Sequence, residues 1–220
     1  ADVFKWIQRD LQQGLRTTMY GPAINEEVAS KQFLKWIGSK HRVAKQIISY
    51  MPQRYRTYVE PFLGGGAVLG ALSPKVAIAG DTLKPLVELW KLLKEKPEVL
   101  VKYYATKWRE YIKNRLETYL EVRNAYNANP NPLDLLFLSR TCYGGVIRFT
   151  KEGRISTPLG AHTPISPVAF KERVKLWSGA VRGTRFLYAD FRETMSLAKE
   201  GDVVYCDPPY LYSQSIVYGA

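Results

Sequence analysis

The sequence predicts an α/β protein built on a doubly wound parallel sheet, interrupted by a long insert of different pattern. Three observations predict it. The apolar stretch Tyr58-Val59-Glu60-Pro61-Phe62 runs into the glycine turn Leu63-Gly64-Gly65-Gly66, and an apolar run from Ala67 to Leu72 follows. A second strand-like stretch, Val76 to Asp81, ends on an acid. Strand, glycine turn, helix and strand in that order open a doubly wound sheet. Two further strand-like stretches, Phe186 to Asp190 and Val203 to Cys206, return after the insert.

Taken in order, residues 1–30 read as a helical extension. Val3, Ile7, Leu11 and Leu15 recur every four residues, the spacing of one helical face, and Gly21-Pro22 breaks the chain. Leu83 to Tyr104 is helical in pattern, with Pro85 tolerated in a first turn. Tyr111 to Tyr126, Leu133 to Leu138 and Phe170 to Trp177 also read as helix. Thr141 to Pro167 is rich in Gly, Thr, Ser and Pro and alternates over Val146-Ile147-Arg148-Phe149-Thr150, which predicts a β-hairpin with loops. The expected organisation is a core of residues 33–105 and 183–220 around an insert of 106–182. Four strands are fewer than such a sheet needs, so a further C-terminal segment or a second chain is expected to complete it.

Composition narrows the classes. Thirty-two Lys and Arg against twenty Asp and Glu leave a net charge of +12, with a pI near 9.6. Seven basic residues and no acidic one lie between Lys31 and Val59, and a second basic stretch holds Lys171, Arg173, Lys175, Arg182, Arg185 and Arg192. Such a field attracts polyanions and suggests a phosphate-backbone footprint. No apolar run approaches the ~20 residues of a membrane span. Cys142 and Cys206 are too few for a disulfide framework, and a reducing cytosol is the expected compartment. His41 and His162 are the two histidines, with no Cys or carboxylate cluster at ligand spacing, so no metal site is read.

Two constellations carry chemistry. Glycines after a strand let a ligand approach the backbone, and an acid ending the next strand, about twenty residues on, can bind two ribose hydroxyls. Glu60 to Gly66 with Asp81 therefore describes a nucleoside-cofactor site. The glycines do not fit G-x-G-x-x-G, which argues against a nicotinamide cofactor and leaves S-adenosylmethionine open. The second is Asp207-Pro208-Pro209-Tyr210 after an apolar strand. Read as structure, two prolines end the strand and Tyr210 packs. Read as chemistry, a carboxylate and a backbone carbonyl accept the N–H bonds of an exocyclic amine. The prolines fix where that carbonyl points, and the aromatic ring stacks on an extruded base.

With Phe33-Leu34-Lys35-Trp36-Ile37-Gly38-Ser39-Lys40 the pattern closes. The chain resembles the Dam-type (D12 class, alpha group) adenine-N6 DNA methyltransferases, whose N-terminal motif is similar to F-x-K-W-x-G-G-K. Glu60 to Gly66 resembles the family's E-P-F-x-G-x-G cofactor motif, and Asp207 to Tyr210 is identical to its catalytic D-P-P-Y. The order of the motifs is also the family's. The resemblance implies a Rossmann-like methyltransferase sheet with an inserted target-recognition domain. It implies S-adenosylmethionine held by Trp36, Lys40, Glu60, Pro61, Phe62, Gly64, Gly66, Asp81, Asp190, Phe191 and Asp207. Asp207, Pro208, Pro209 and Tyr210 would be catalytic. The insert is similar to the family's N-R-x-x-x-N-G-x-x-R segment over Leu138 to Phe149, which implies DNA contacts from Tyr143 and Arg148, and a bracing or phosphate role for Arg140. Gly153 to Gly160 resembles its F-N-x-P-x-G stretch.

The implied reaction is methyl transfer to adenine N6 in double-stranded DNA by a protein working as a monomer on the nucleoid. Ser39, Ser139 and Gly144 depart from the family pattern, as does Thr82-Leu83 for the usual x-Asn after the ribose acid. Because the same chemistry serves any exocyclic amine, an RNA adenine or cytosine-N4 enzyme stays open. So does a catalytically incomplete DNA-binding fragment. The long insert favours DNA.

Overall fold

A computed structural model describes residues 21–209. The helical stretch expected over Val3 to Leu15 lies outside them, as does Tyr210. Among the described residues the sheet has four strands: β1 (Tyr58–Glu60), β2 (Ala77–Asp81), β3 (Thr184–Tyr188) and β4 (Val203–Val204). They lie in the order β3-β2-β1-β4, and every neighbouring pair is parallel. The β1–β2 register pairs Val59 with Ile78, and the β2–β3 register pairs Ala79 with Phe186.

Helices cover both faces, as the alternation of β2 requires. Ala79 and its partner Phe186 point to one face, where Phe186 stacks on Trp90 with ring centroids 5.9 Å apart. Gly80 points to the other, where a Cβ would lie 2.2 Å from Thr194 Oγ1. With α1 (Glu26–Ser30), α2 (Ala44–Ser49) and α3 (Ala67–Leu72) numbered first, Trp90 belongs to α4 (Lys84–Glu95). α4 presents Leu86, Leu89, Trp90 and Leu93 at helical spacing, all buried. α3 is buried on every side. Residues 26–30 pack into this body: Val28 is fully buried, and the Asn25 N–H donates to Ala71 O at 2.8 Å.

The segment expected to be one helix from Leu83 to Tyr104 is two. Pro97 disfavours helical geometry at Lys96 (φ −141°, ψ 56°), so α4 ends there and α5 (Pro97–Lys113) begins. A second break at Asn114, whose side chain accepts the Glu117 N–H, starts α6 (Arg115–Ala128) within the stretch expected to be continuous from Tyr111. α7 (Pro132–Thr141) and α8 (Pro167–Ala180) are capped in the same way by Asn131 and Ser166. Aromatic rings join these helices to the sheet layer: Trp90, Phe33 and Trp177 lean on one another, and Tyr104 stacks on Phe170 at 4.0 Å. One hydrophobic core therefore runs from the strands through the insert.

The hairpin expected over 141–167 is a different object. Two isolated antiparallel bridges, Cys142 with Leu159 and Phe149 with Ile155, replace a ladder, and Tyr143–Gly145 forms a single 3-10 turn. Side chains have taken the ladder's places. Thr157 Oγ1 accepts the Arg148 N–H at 2.7 Å and donates to Val146 O at 3.1 Å. No helix among the described residues is long and apolar enough to cross a membrane.

Candidate active site

The carboxyl ends of β1, β2 and β4 open onto a cavity of about 820 Å³. This is where a doubly wound sheet leaves room for a ligand. Each strand end delivers an acid: Glu60 closes β1, Asp81 closes β2, Asp190 follows α-carboxyl-side of β3, and Asp207 follows β4. Three of them, Glu60, Asp81 and Asp207, line the cavity. Asp190 does not. Its carboxylate caps α9 (Phe191–Ser196) by accepting the Arg192 N–H at 2.9 Å, and so aims the next residue. Phe191 reaches the cavity and stacks on Phe62, centroids 5.2 Å apart at 24°.

The glycine turn is shaped from above and below. Trp36 lies so close that a Cβ on Gly64 would sit 3.2 Å from its ring and one on Gly65 3.0 Å from its Cβ. Beneath, Trp90 Nε1 donates to Gly64 O at 3.1 Å, and a Cβ on Gly66 (φ +60°) would lie 2.7 Å from the Trp90 ring. Asp81 ties the turn to β2. One carboxylate oxygen accepts the Gly64 N–H at 2.9 Å and the other accepts the Leu83 N–H at 3.0 Å. Burial raises the Asp81 pKa, and these backbone donors oppose the rise.

Glu60 is 3% exposed. Burial pushes its pKa up to about 8, with the Asp207 and Asp81 carboxylates adding to the rise, while the Tyr58 hydroxyl, which donates to Glu60 Oε2 at 2.8 Å, pulls it down. A carboxyl that titrates near 4.5 in the unfolded chain and near 8 in the fold makes folding take up a proton between those values. Stability therefore falls as pH rises through that window. Glu60→Gln, which cannot ionise, is expected to flatten the slope in chemical denaturation between about pH 5 and about pH 8. An unchanged slope would place its origin in another group.

Asp207 meets Lys40 of the N-terminal segment at 2.5 Å, both side chains about three-quarters buried. Lys40 also donates to Gly38 O at 3.1 Å. The contact engages Asp207 Oδ2. Pro61, Pro208 and Pro209 complete this wall. All the residues expected at the cofactor except Asp190 thus line one cavity. Tyr205, Phe149 and Gly153 line it too, and the sequence reading missed them. Tyr205 precedes the Asp-Pro-Pro run on the same extended segment, its N–H donating to Val59 O at 2.8 Å, so strand alternation could have found it. Phe149 and Gly153 arrive from the insert, and no local spacing announces them.

The residues expected on DNA separate. Tyr143 is 62% exposed at the tip of a turn in which Gly144 (φ +65°) and Gly145 (φ +68°) take left-handed backbone. Arg148 is exposed. Arg140 is interior: it is 3% exposed, its guanidinium donates to Phe33 O at 2.5 Å and lies 5.7 Å over the Phe170 ring. A phosphate contact does not fit that position, and the brace it provides is to the N-terminal motif rather than to the hairpin. Cys142 is buried and Cys206 exposed, both as free thiols. No group of three metal-ligating side chains occurs among the described residues.

Residues 36–219 match the family model for the D12 class N6 adenine-specific DNA methyltransferases. The chain is 32% identical over 186 residues to a DNA N-6-adenine-methyltransferase of Escherichia phage P1, covering 82% of this chain and 24% of the relative. It is 29% identical over 184 residues to a DNA adenine methylase of Vibrio cholerae, covering 82% and 65%. A type II methyltransferase of Methanocaldococcus jannaschii is 31% identical over 201 residues, covering 82% and 69%. The chain thus spans about a quarter of the phage relative and under two thirds of the Vibrio one.

Proposed function

We propose, from the premise that the chain belongs to the D12 class N6 adenine-specific DNA methyltransferase family, that the complete protein transfers a methyl group from S-adenosylmethionine to adenine N6 in double-stranded DNA. The observation that carries the reading is one cavity lined by the glycine turn, Asp81 and the Asp207-Pro208-Pro209 run.

The lining fits this cofactor. Three carboxyl groups face the cavity of a chain whose net charge is +12. Asp81 and Asp207 suit a ligand with a positive sulfonium and ammonium and would repel a dinucleotide's pyrophosphate, while Glu60, its pKa pushed up to about 8, would give up its proton beside such a cation. Bound there, S-adenosylmethionine supplies an electrophilic methyl group. Asp81, with both carboxylate oxygens oriented by backbone donors, retains lone pairs for two ribose hydroxyls. The stacked Phe62–Phe191 pair offers an aromatic wall for an adenine ring. Trp36 shields the glycine turn, and Lys40 orients Asp207. Asp207 Oδ1 and the backbone carbonyl ahead of Pro209 then accept the two N–H bonds of the target amine, which localises its lone pair for in-line attack. Pro209 and Pro208 hold that carbonyl's direction. Tyr210 stacks on the extruded base. Residues 106–182 serve as the recognition domain, with Tyr143 at the duplex and Arg148 on a guanine edge.

Labelled methyl transfer to mixed-sequence duplex DNA, followed by nucleoside analysis, tests the reading. N6-methyladenine is the expected product. Label in N4-methylcytosine or in RNA alone would overturn the assigned substrate. Two substitutions refine it. Asp81→Ala is expected to weaken S-adenosylmethionine binding by about tenfold or more, read by calorimetry, because two buried hydroxyl partners are lost. Arg148→Ala is expected to cost about 1–3 kcal/mol of discrimination at one base pair. An even loss over all sequences would make Arg148 a phosphate contact.

A further inference from the structure

One side of α6 carries a row of hydrogen bonds that neither the cavity nor the motifs require. Arg115, Tyr119, Arg123 and Asn127 stand four residues apart, so they share a face of the helix. Each reaches the backbone of the arm from Ile155 to His162. Arg115 Nη2 donates to Gly160 O, Ala161 O and His162 O at 2.9–3.1 Å. The Tyr119 hydroxyl, on a fully buried ring, donates to Thr157 O at 2.7 Å, and Arg123 reaches the same carbonyl at 3.4 Å. Asn127 grips Ile155 at both ends, accepting its N–H at 2.7 Å and donating to its carbonyl at 3.1 Å. The amide side chain thereby does for Ile155 what a neighbouring strand does in a ladder.

The held arm passes its position on. Thr157 is 3% exposed, and its hydroxyl accepts the Arg148 N–H and donates to Val146 O. Ser156 N–H donates to Arg148 O at 3.1 Å, and Tyr143 N–H donates to Pro158 O at 2.8 Å. With Thr150 N–H to Arg154 O and Gly160 N–H to Thr141 O, both at 2.8 Å, these backbone bonds flank the two isolated bridges by which the arms meet. A short two-stranded hairpin is marginal in water and free to slip, and a slip of one residue turns every side chain to the opposite face. The row on α6 grips the second arm from outside, from Ile155 to His162.

We propose that α6 is a register splint for the 141–162 arms, and that Asn127 and Tyr119 are positioning residues for sequence discrimination. They act through Ile155 and Thr157 on Arg148 and Tyr143. The consequence for discrimination rests on the function proposed above; the splint itself does not.

The test uses the complete protein as wild type, Asn127→Ala, Asn127→Asp and Tyr119→Phe. Hydrogen exchange without DNA reads the splint. The Ile155 amide is expected to exchange about tenfold faster in Asn127→Ala. Tyr119→Phe should do the same at Arg148. Asn127→Asp keeps the acceptor for the Ile155 N–H and should be intermediate. Amides of β2 and calorimetric binding of S-adenosylmethionine should not change. If Asn127→Ala loosens β2 as well, Asn127→Asp and Tyr119→Phe carry the comparison.

Methylation then reads the consequence. The ratio of rates on the preferred site and on sites with one base pair changed is expected to fall about tenfold. The kcat on the preferred site should stay within about twofold. Unchanged exchange at residues 148 and 155 in all three variants would overturn the splint. Faster exchange with undiminished discrimination would overturn its part in recognition. A wild-type protein that methylates no DNA would overturn the proposed reaction, and the exchange measurement would still judge the splint.

Discussion

Asp207→Ala is expected to lower methyl transfer by a factor on the order of 10³ while DNA binding stays within a few-fold. The loss is concentrated in the chemical step. The carboxylate stands at the cavity wall, held by Lys40 through one oxygen, and in the proposed reaction its other oxygen accepts from the target amine. Alanine removes an interaction made most strongly in the transition state, so kcat and kcat/KM should fall together. Asp207→Asn keeps an acceptor of similar size but loses the charge, and should fall between the two. Lys40→Met, which leaves the carboxylate without its orienting partner, should lower kcat less than Asp207→Ala does. Single-turnover kinetics with saturating DNA and cofactor makes the measurement. An Asp207→Ala protein with undiminished turnover would remove this residue from the chemistry.

Trp90→Ala is expected to destabilise the fold by about 3–5 kcal/mol, the range for deleting a large buried aromatic. For a chain of this size that lowers Tm by roughly 6–20 °C. Trp90 is fully buried and meets Phe33, Trp177 and Phe186. It therefore joins the N-terminal motif, the insert and the sheet in one packing unit. Its indole N–H also holds Gly64 O, so the fold and the glycine turn share this side chain. Trp90→Phe separates the two. Most of the ring volume stays, the donor is lost, and a smaller drop in Tm should come with weakened S-adenosylmethionine binding. Denaturant melts and calorimetry on the three proteins distinguish these effects. Equal binding in wild type and Trp90→Phe would show that the Gly64 contact does not shape the site.

The cavity also explains why an acidic pocket sits in so basic a chain. Burial raises the pKa of Glu60, and the neighbouring Asp207 and Asp81 carboxylates add to the rise. Exposed cations such as Arg148, Lys151 and Arg154 lie outside it. Under the proposed function, these opposite fields would draw a cationic cofactor into the pocket and a polyanion along the surface.

What the sequence by itself determined here is whatever short-range chemistry requires. A strand that must end on an acid, a turn that must bring backbone close to a ligand, and a carboxylate followed by two prolines are each written within a few neighbouring residues. Gly64 to Gly66, Asp81 and Asp207 were legible for that reason, and so were the strands that present them. Tertiary structure decided the rest. Asp190 and Phe191 look alike as site candidates in sequence, yet the carboxylate caps a helix and only the ring faces the cavity. Arg140, expected to brace the hairpin or touch phosphate, is buried, because Phe33 and Phe170 arrive from distant segments to enclose it. The expected hairpin lost its ladder to side chains, Thr157 from within and Asn127 from α6, and no pairing rule within residues 141–167 contains that competition. Local motifs are specified by covalent neighbours. The placement of the insert is specified by contacts between residues 28–146 positions apart, and those exist only once the core has closed.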